Sequence, residues 1–384
     1  MSIDLNILKD LWVHVEKRSL IRHNYLLRTG DLMKSFLRGL SVFPLMWVLL
    51  LSPCHEALAA PLKKPLSFEH FTQKDGLTSD MVYAVAVKGD EVWFGTYAGG
   101  TSLYHKSKRT WKAYTTKGEP QVKVDDGNSI QWKNLLAYNH VSVILPDVDR
   151  IWFGTYFYGF GGGGISYYDP QKKPPWKRFT THNGVAKKIV SMAVNGDELW
   201  IGSEKGLSLL DKKSEQWKNF YSTQHGLSGN FVNALLIDSD VLWAGTNGGI
   251  TRFHRIQKTW KSYGANEGLT ELEIKTLVKV GDKIWAGAIQ GTLFEYDSEA
   301  DRWKKMESSD PLNNGGIHAM LVTKDRTFVC RDNGVSIYDL ATGESDAITA
   351  SDGLLSSTVF SAAEDKDDIW FGTDKGVSKL LLNP

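Results

Sequence analysis

Side chains able to do chemistry are spread thinly along this chain. Its ten histidines are scattered, without the spacing of a zinc site. Cys330 sits in the apolar stretch "TFVCR" and reads as a buried core thiol; a nucleophilic thiol needs an activating neighbour. "VDDGNS" at 124–129 offers oxygen donors but lacks the alternating acids and distal Glu of a calcium loop. "GFGGGG" at 159–164 opens no helix, so it does not read as a phosphate cradle. No nucleophile-elbow motif occurs. His318 and Glu273 are the pair that acid–base chemistry would use if the fold brought them together. No pattern asks for a metal or a cofactor.

The dominant signal is a repeat. "DEVWFGT" at 90 returns as "DRIWFGT" at 149, "DELWIGS" at 197, "DVLWAGT" at 240, "DKIWAGA" at 282, "DRTFVCR" at 325 and "DDIWFGT" at 367. The anchors are Trp93, Trp152, Trp200, Trp243, Trp285, Phe328 and Trp370, separated by 59, 48, 43, 42, 43 and 42 residues. A period near 42 marks a repeat architecture. Each unit holds four short segments rich in β-branched and aromatic residues, bounded by Gly, Asn and Asp. Around Trp243 these are "FVNALLID", "VLWAGT", "GITRFH" and "TWKSYG". Four short antiparallel strands per unit is the blade of a β-propeller. The chain is therefore expected to be all-β: a seven-bladed propeller of four-stranded antiparallel blades, over residues 61–384. The last unit stops after three strands. "LSFEHFT" (66–72) is a strand without a unit, and is expected to pair beside 376–382 and close the ring.

Within the unit, the Trp is expected to fill the space between blades. The Gly after it leaves room for close approach of strands, and the Asp before it suits a tight turn. A second aromatic set, in "TWKAY", "PWKRF", "QWKNF", "TWKSY" and "RWKKM", marks the outer strand.

The first 60 residues are of another kind. Residues 33–60 read as a signal peptide: Lys34 and Arg38, the apolar run Leu40 to Leu51, then Ala57-Leu58-Ala59. Residues 1–32 carry four acids and read as an over-extended start. The expected location is periplasmic or secreted after cleavage, the alternative being an inner-membrane anchor through an uncleaved signal. Beyond residue 60 the chain carries 38 basic and 39 acidic residues and one cysteine. That balance excludes a nucleic-acid footprint, and one cysteine allows no internal disulfide.

The unit, with "IWFGTDKGVSKL" (369–380) and "LWIGSEKGLSLLD" (199–211) as its clearest copies, resembles the two-component regulator propeller repeat. The likeness covers about 66–384. It implies a ligand- or partner-binding sensor module, with a sensor kinase as a partner. This sequence departs from the family pattern of two consecutive rings ahead of a kinase, having one ring and no kinase or DNA-binding segment.

Candidate ligand-binding residues follow from the expected topology. The innermost strands align on Val82, Val141, Val190, Val232, Ile274, Ile317 and Val359. The next residues, Tyr83, Ser142, Ser191, Asn233, Lys275, His318 and Phe360, form a mixed ring at the channel mouth. Two insertions, 117–139 and 156–164, are expected to overhang the same face. With Tyr97, His140, Trp132, Tyr156, Phe157, Tyr158 and Phe160 they would build an aromatic wall for a small molecule, a glycan or a protein. Alternatives are a water-filled tunnel and insertions that merely pack on the ring. Two further functions stay open: a propeller lyase or hydrolase such as the streptogramin lyases, and an envelope scaffold.

Overall fold

Second strands of every unit are apolar almost without alternation, as strands buried on both faces must be, and the third strands interleave polar residues with apolar ones. In the computed structural model they are buried along nearly their whole length. The structure describes residues 66–116, 136–157, 163–180, 185–307, 310–366 and 368–382. The leader and extended start, Trp132, Tyr158, Phe160 and "VDDGNS" lie outside the described residues.

Seven four-stranded antiparallel sheets form a ring of blades, numbered here in chain order. Their innermost strands are Val82–Lys88, Val141–Pro146, Ile189–Asn195, Val232–Asp238, Ile274–Val280, Ile317–Val322 and Val359–Asp365. Each neighbours the next, and the seventh neighbours the first. Blade 7 takes its outer strand from Ser67–Phe71, which pairs antiparallel with Gly376–Leu381, from Ser67 opposite Leu381 to Phe71 opposite Val377. Phe71 also packs on Trp370, Tyr104 and Trp111 at 5.3, 5.4 and 5.8 Å, joining blade 7 to blade 1.

The anchors sit between blades. Trp93 of blade 1 meets Phe153, Tyr168 and Trp176 of blade 2, and Trp243 of blade 4 meets Tyr296 and Trp303 of blade 5. Five indole N–H groups donate to carboxylates: Trp93 to Glu91, Trp152 to Asp147, Trp200 to Glu198, Trp285 to Glu295 and Trp370 to Asp365. The polar edge of a buried ring is thus satisfied.

The glycine two residues after the anchor faces the next blade. A methyl built on Gly245 would lie 2.8 Å from Ile274 Cγ2, and one on Gly154 2.7 Å from Ile189 Cγ2. The same holds at Gly95, Gly202, Gly287 and Gly372 against Val141, Val232, Ile317 and Val82. The Thr or Ser that follows ties second to third strand: Thr96, Thr155, Ser203, Thr246 and Thr373 donate to the carbonyls of Gly100, Gly164, Gly206, Gly249 and Gly376.

The recurrent Asp closes the turn end. The carbonyls of Asp90, Asp197, Asp240 and Asp325 accept from the turn before the outer strand. In five blades the residue ahead of the Asp sits at positive φ. Gly89, Gly196 and Gly281 take this without strain, whereas Ser239 and Lys366 adopt φ of 52° and 57°.

Blade 6 breaks these rules coherently. Cys330, wholly buried, takes the Gly position, and burial pushes its thiol up to about 12. Arg331 takes the Thr position at 1% exposure. Its guanidinium binds Asp310 Oδ2 and the Gly315 carbonyl at 2.8 Å, the Gly291 carbonyl at 3.1 Å and Ser336 Oγ at 2.8 Å. Tyr338 O–H also donates to Asp310, at 2.8 Å. One charged group replaces the repeated Thr bond with a buried network between blades 5 and 6.

Two outcomes are expected in urea unfolding. Gly245→Ala, whose new methyl meets Ile274, should lose about 1–3 kcal/mol; an unchanged midpoint would show that this spacing is not under constraint. Arg331→Met strands the Asp310 carboxylate and should lose about 3–5 kcal/mol. Adding Asp310→Leu to that variant should recover part of the loss, because the unpaired charge is then gone; no recovery would assign the cost to packing alone.

Candidate functional site

Every innermost strand begins in the same way. A Val or Ile with no exposed surface (Val82, Val141, Ile189, Val232, Ile274, Ile317, Val359) pairs with the end of the second strand. The next residue has no partner in the ladder: a β-bulge interrupts the register there in all seven blades. Bulges re-aim a side chain and release it from the alternation of the strand. The seven bulged residues are Tyr83, Ser142, Val190, Asn233, Lys275, His318 and Phe360, all half-buried.

This corrects the third blade by one residue. Ile189, not Val190, is the buried aligned position, so Val190 and not Ser191 occupies the bulge. Ser191 is 6% exposed and donates to the Val232 carbonyl of the next blade at 2.9 Å. Two of the bulged residues make similar bonds: Ser142 Oγ donates to the Ile189 carbonyl and Asn233 Nδ2 to the Ile274 carbonyl at 3.0 Å. Ser142, Ser191 and Asn233 thus clamp neighbouring blades together.

A second ring lies beside the first. It comprises the residue directly after each Gly-Thr pair or its equivalent: Tyr97, Tyr156, Glu204, Asn247, Ile289, Asp332 and Asp374. In six blades its N–H donates to the carbonyl of the residue just ahead of the innermost strand, from Met81, His140, Lys188, Phe231, Glu273 and Gly316. Extending the repeat alignment by one position reveals this ring; beyond Tyr97 and Tyr156, it was not anticipated as a set.

The mouth divides into two arcs. Across blades 6, 7, 1 and 2 the rings touch in sequence: His318–Phe360 at 5.2 Å, Phe360–Tyr83 at 4.7 Å, Tyr83–His140 at 5.0 Å and His140–Tyr156 at 5.4 Å. Tyr97 leans on His140 at 4.8 Å and remains 44% exposed. The other arc holds charged side chains, with Val190 and Ile289 among them. Lys188 ion-pairs with Glu204 at 3.5 Å, with its ammonium over the Tyr156 ring, and Lys275 pairs with Glu273 at 2.9 Å. Tyr83, Tyr97, His140, Tyr156, His318 and Phe360 are thus brought together; Asn233 and Lys275 lie on the opposite arc. Phe157 turns away onto Tyr138 at 4.5 Å, packing the end of the first insertion.

His318 and Glu273 do not form a pair. His318 Nε2 lies 2.6 Å from Asp332 Oδ1, while Glu273 is engaged by Lys275. His140 is 7% exposed, and burial lowers its imidazole to about 4, so it is neutral at physiological pH. Among the described residues no group of three His, Cys, Asp or Glu side chains is placed to hold a metal ion.

These features define a seven-bladed β-propeller with a two-sided mouth. The chain is similar in fold to several solved propellers. One is the extracellular domain of a hybrid two-component system from B. thetaiotaomicron, at 20% identity and TM-score 0.65, covering 83% of this chain. This chain spans 42% of that domain. A catalytically inactive virginiamycin B lyase from Staphylococcus aureus, with quinupristin, gives TM-score 0.62 at 14% identity, covering 83% of this chain and 99% of the lyase. YCF48 bound to D1 peptide gives 0.59 at 9% identity, covering 84% and 96%. No family model matches the chain, and no curated protein matches it. The resemblance of the repeat to two-component propellers is therefore met at the level of fold.

His140 yields a pH prediction. Its folded pKa lies below the unfolded value near 6.5, so the unfolded state binds more protons between about pH 4 and 6.5, and stability falls as pH drops through that window. His140→Gln should remove part of the fall, and NMR titration should show one imidazole still neutral at pH 5. Protonation of that imidazole near pH 6.5 would refute its burial.

Proposed function

We propose that the chain is an extracytoplasmic, sensor-type binding module whose soluble ligand sits on the channel mouth, its ring face against the aromatic arc. The observation that carries this is the unbroken run of rings from His318 to Tyr156, contributed by four blades and half-buried at every ring but His140. A purely structural role would bury all of these rings as it does His140; instead Tyr83, Tyr156, His318 and Phe360 stand at bulged or loop positions and keep exposed surface. The rings supply flat apolar contact, and the arc opposite supplies Lys275, Glu273 and Glu204 for hydrogen bonds that fix orientation. A sugar ring, with apolar C–H faces and a hydroxyl rim, fits this pairing of surfaces. The fold likeness to an extracellular domain of a two-component system supports placement outside the cytoplasm, after the leader read at 33–60, and a sensor kinase as the partner receiving the signal. Among the described residues no helix is long and apolar enough to cross a membrane.

A second reading rests on one observation, the His318–Asp332 pair at 2.6 Å, which is a base held by a carboxylate at the mouth of a fold that also hosts a lyase.

A thermal-shift screen of mono- and disaccharides, with short peptides alongside, tests both. At least one sugar should raise the melting temperature. Tyr97→Ala should weaken its binding tenfold or more, about 1.4 kcal/mol, with little change in the unliganded melting temperature. Loss of a measured turnover in His318→Ala, with its melting temperature unchanged, would move the assignment to the enzyme. No shift with any compound, together with one stable protein recovered in pull-downs, would make the chain a scaffold.

A further inference from the structure

The repeat also shows where it is incomplete. Five outer strands carry an indole in register with a third-strand residue: Trp111 opposite Tyr104, Trp176 opposite Tyr168, Trp217 opposite Leu210, Trp260 opposite Phe253 and Trp303 opposite Tyr296. Blade 7 places Phe68 there, opposite Leu380. In blade 6 the partner of Tyr338 is Ser345. Six blades fill the position with an aromatic ring and one leaves it open.

What that ring normally touches is seen between blades 4 and 5. Trp303 lies 5.8 Å from the anchor Trp243, nearly perpendicular to it, 6.5 Å from Tyr263 and 5.4 Å from Tyr296. The counterparts between blades 5 and 6 are Trp285, Met306 and Tyr338, and all three line a cavity of about 630 Å³. That volume is in the range of small-molecule sites. Trp285 is 8% exposed, against 0–3% for the other five anchor tryptophans. Val322 and Leu340 extend the apolar wall, and Lys324 stands at the rim. The turns at Gly281 and Gly343, at the strand ends opposite the mouth, also line the cavity.

We propose that this cleft between blades 5 and 6 is a second binding site, for a small molecule carrying a flat aromatic group the size of an indole. The repeat supplies the template: the walls that hold Trp303 in the adjacent interface recur with Met306 in place of Tyr263, and among the described residues no ring fills them. The ring face, not the N–H, is what these walls recognise. The indole nitrogens of Trp217 and Trp303 are buried without a hydrogen-bond partner in their own interfaces. Methylating the nitrogen should therefore matter little. The site is independent of the mouth and of the function proposed for it.

Fluorine NMR with 5-fluoroindole as probe tests this on the propeller chain. The probe signal should broaden and shift with protein, and N-methylation of the probe should change its Kd less than threefold. Ser345→Trp, which supplies the missing ring from within, should abolish probe binding, weakening it at least tenfold, and should raise the melting temperature. Ser345→Phe provides the same readout should the larger ring prevent folding. Absence of probe binding to the unaltered chain, or binding equal in either filled variant, would overturn the proposal.

Discussion

The contact on which the structure rests is the meeting of a bare backbone with a branched side chain. At Gly95, Gly154, Gly202, Gly245, Gly287 and Gly372 the second strand has no Cβ, and the first Val or Ile of the next blade fills the space. That approach sets the spacing of adjacent sheets near the axis. Further out the spacing is filled by the anchor tryptophans and the outer-strand rings. Small inside and large outside makes each interface a wedge, and wedges of this angle close after seven. No blade buries both of its faces alone, so stability resides in the interfaces. Full burial of a large apolar side chain contributes about 1.5–3 kcal/mol, and each interface repeats such burial.

Directly beside this constrained contact lies the position of greatest freedom. The buried Val or Ile hardly varies between blades, whereas the bulged residue after it is Tyr, Ser, Val, Asn, Lys, His or Phe. The bulge explains the difference: a side chain outside the ladder has no cross-strand neighbour to match. A uniform scaffold thereby carries a non-uniform mouth, aromatic over four blades and mixed charged, polar and aliphatic over the rest. Its polar members are not all available to a ligand, because Ser142 and Asn233 spend hydrogen bonds on neighbouring carbonyls.

Blade 6 shows how a repeat tolerates change. Phe328, Cys330, Arg331 and Ser345 each replace a recurrent residue. The buried Arg331–Asp310 pair answers the loss of the Thr bond by tying blade 5 to blade 6 through Gly291 and Gly315. Among the described residues nothing replaces the outer indole, and the cleft remains. The same interface is thus tight at its mouth end and open at its opposite end.

Much of this was legible in the residues themselves. Repetition at a near-constant period announced seven units, four strands in each, anchors between them and a leading strand beside the last. A periodic sequence repeats its local conformation, so each copy supports the reading of the others. Register within one strand was not legible. "IVSMAV" offers adjacent β-branched residues at Ile189 and Val190, and either suits a buried strand position; only the approach of Ile189 to Gly154 selects one. The partners of His318 and Glu273, the touching of rings from four blades and the cleft at Ser345 were likewise decided in three dimensions. Each joins residues whose distance depends on how the ring closes, and spacing along a chain carries no measure of that distance.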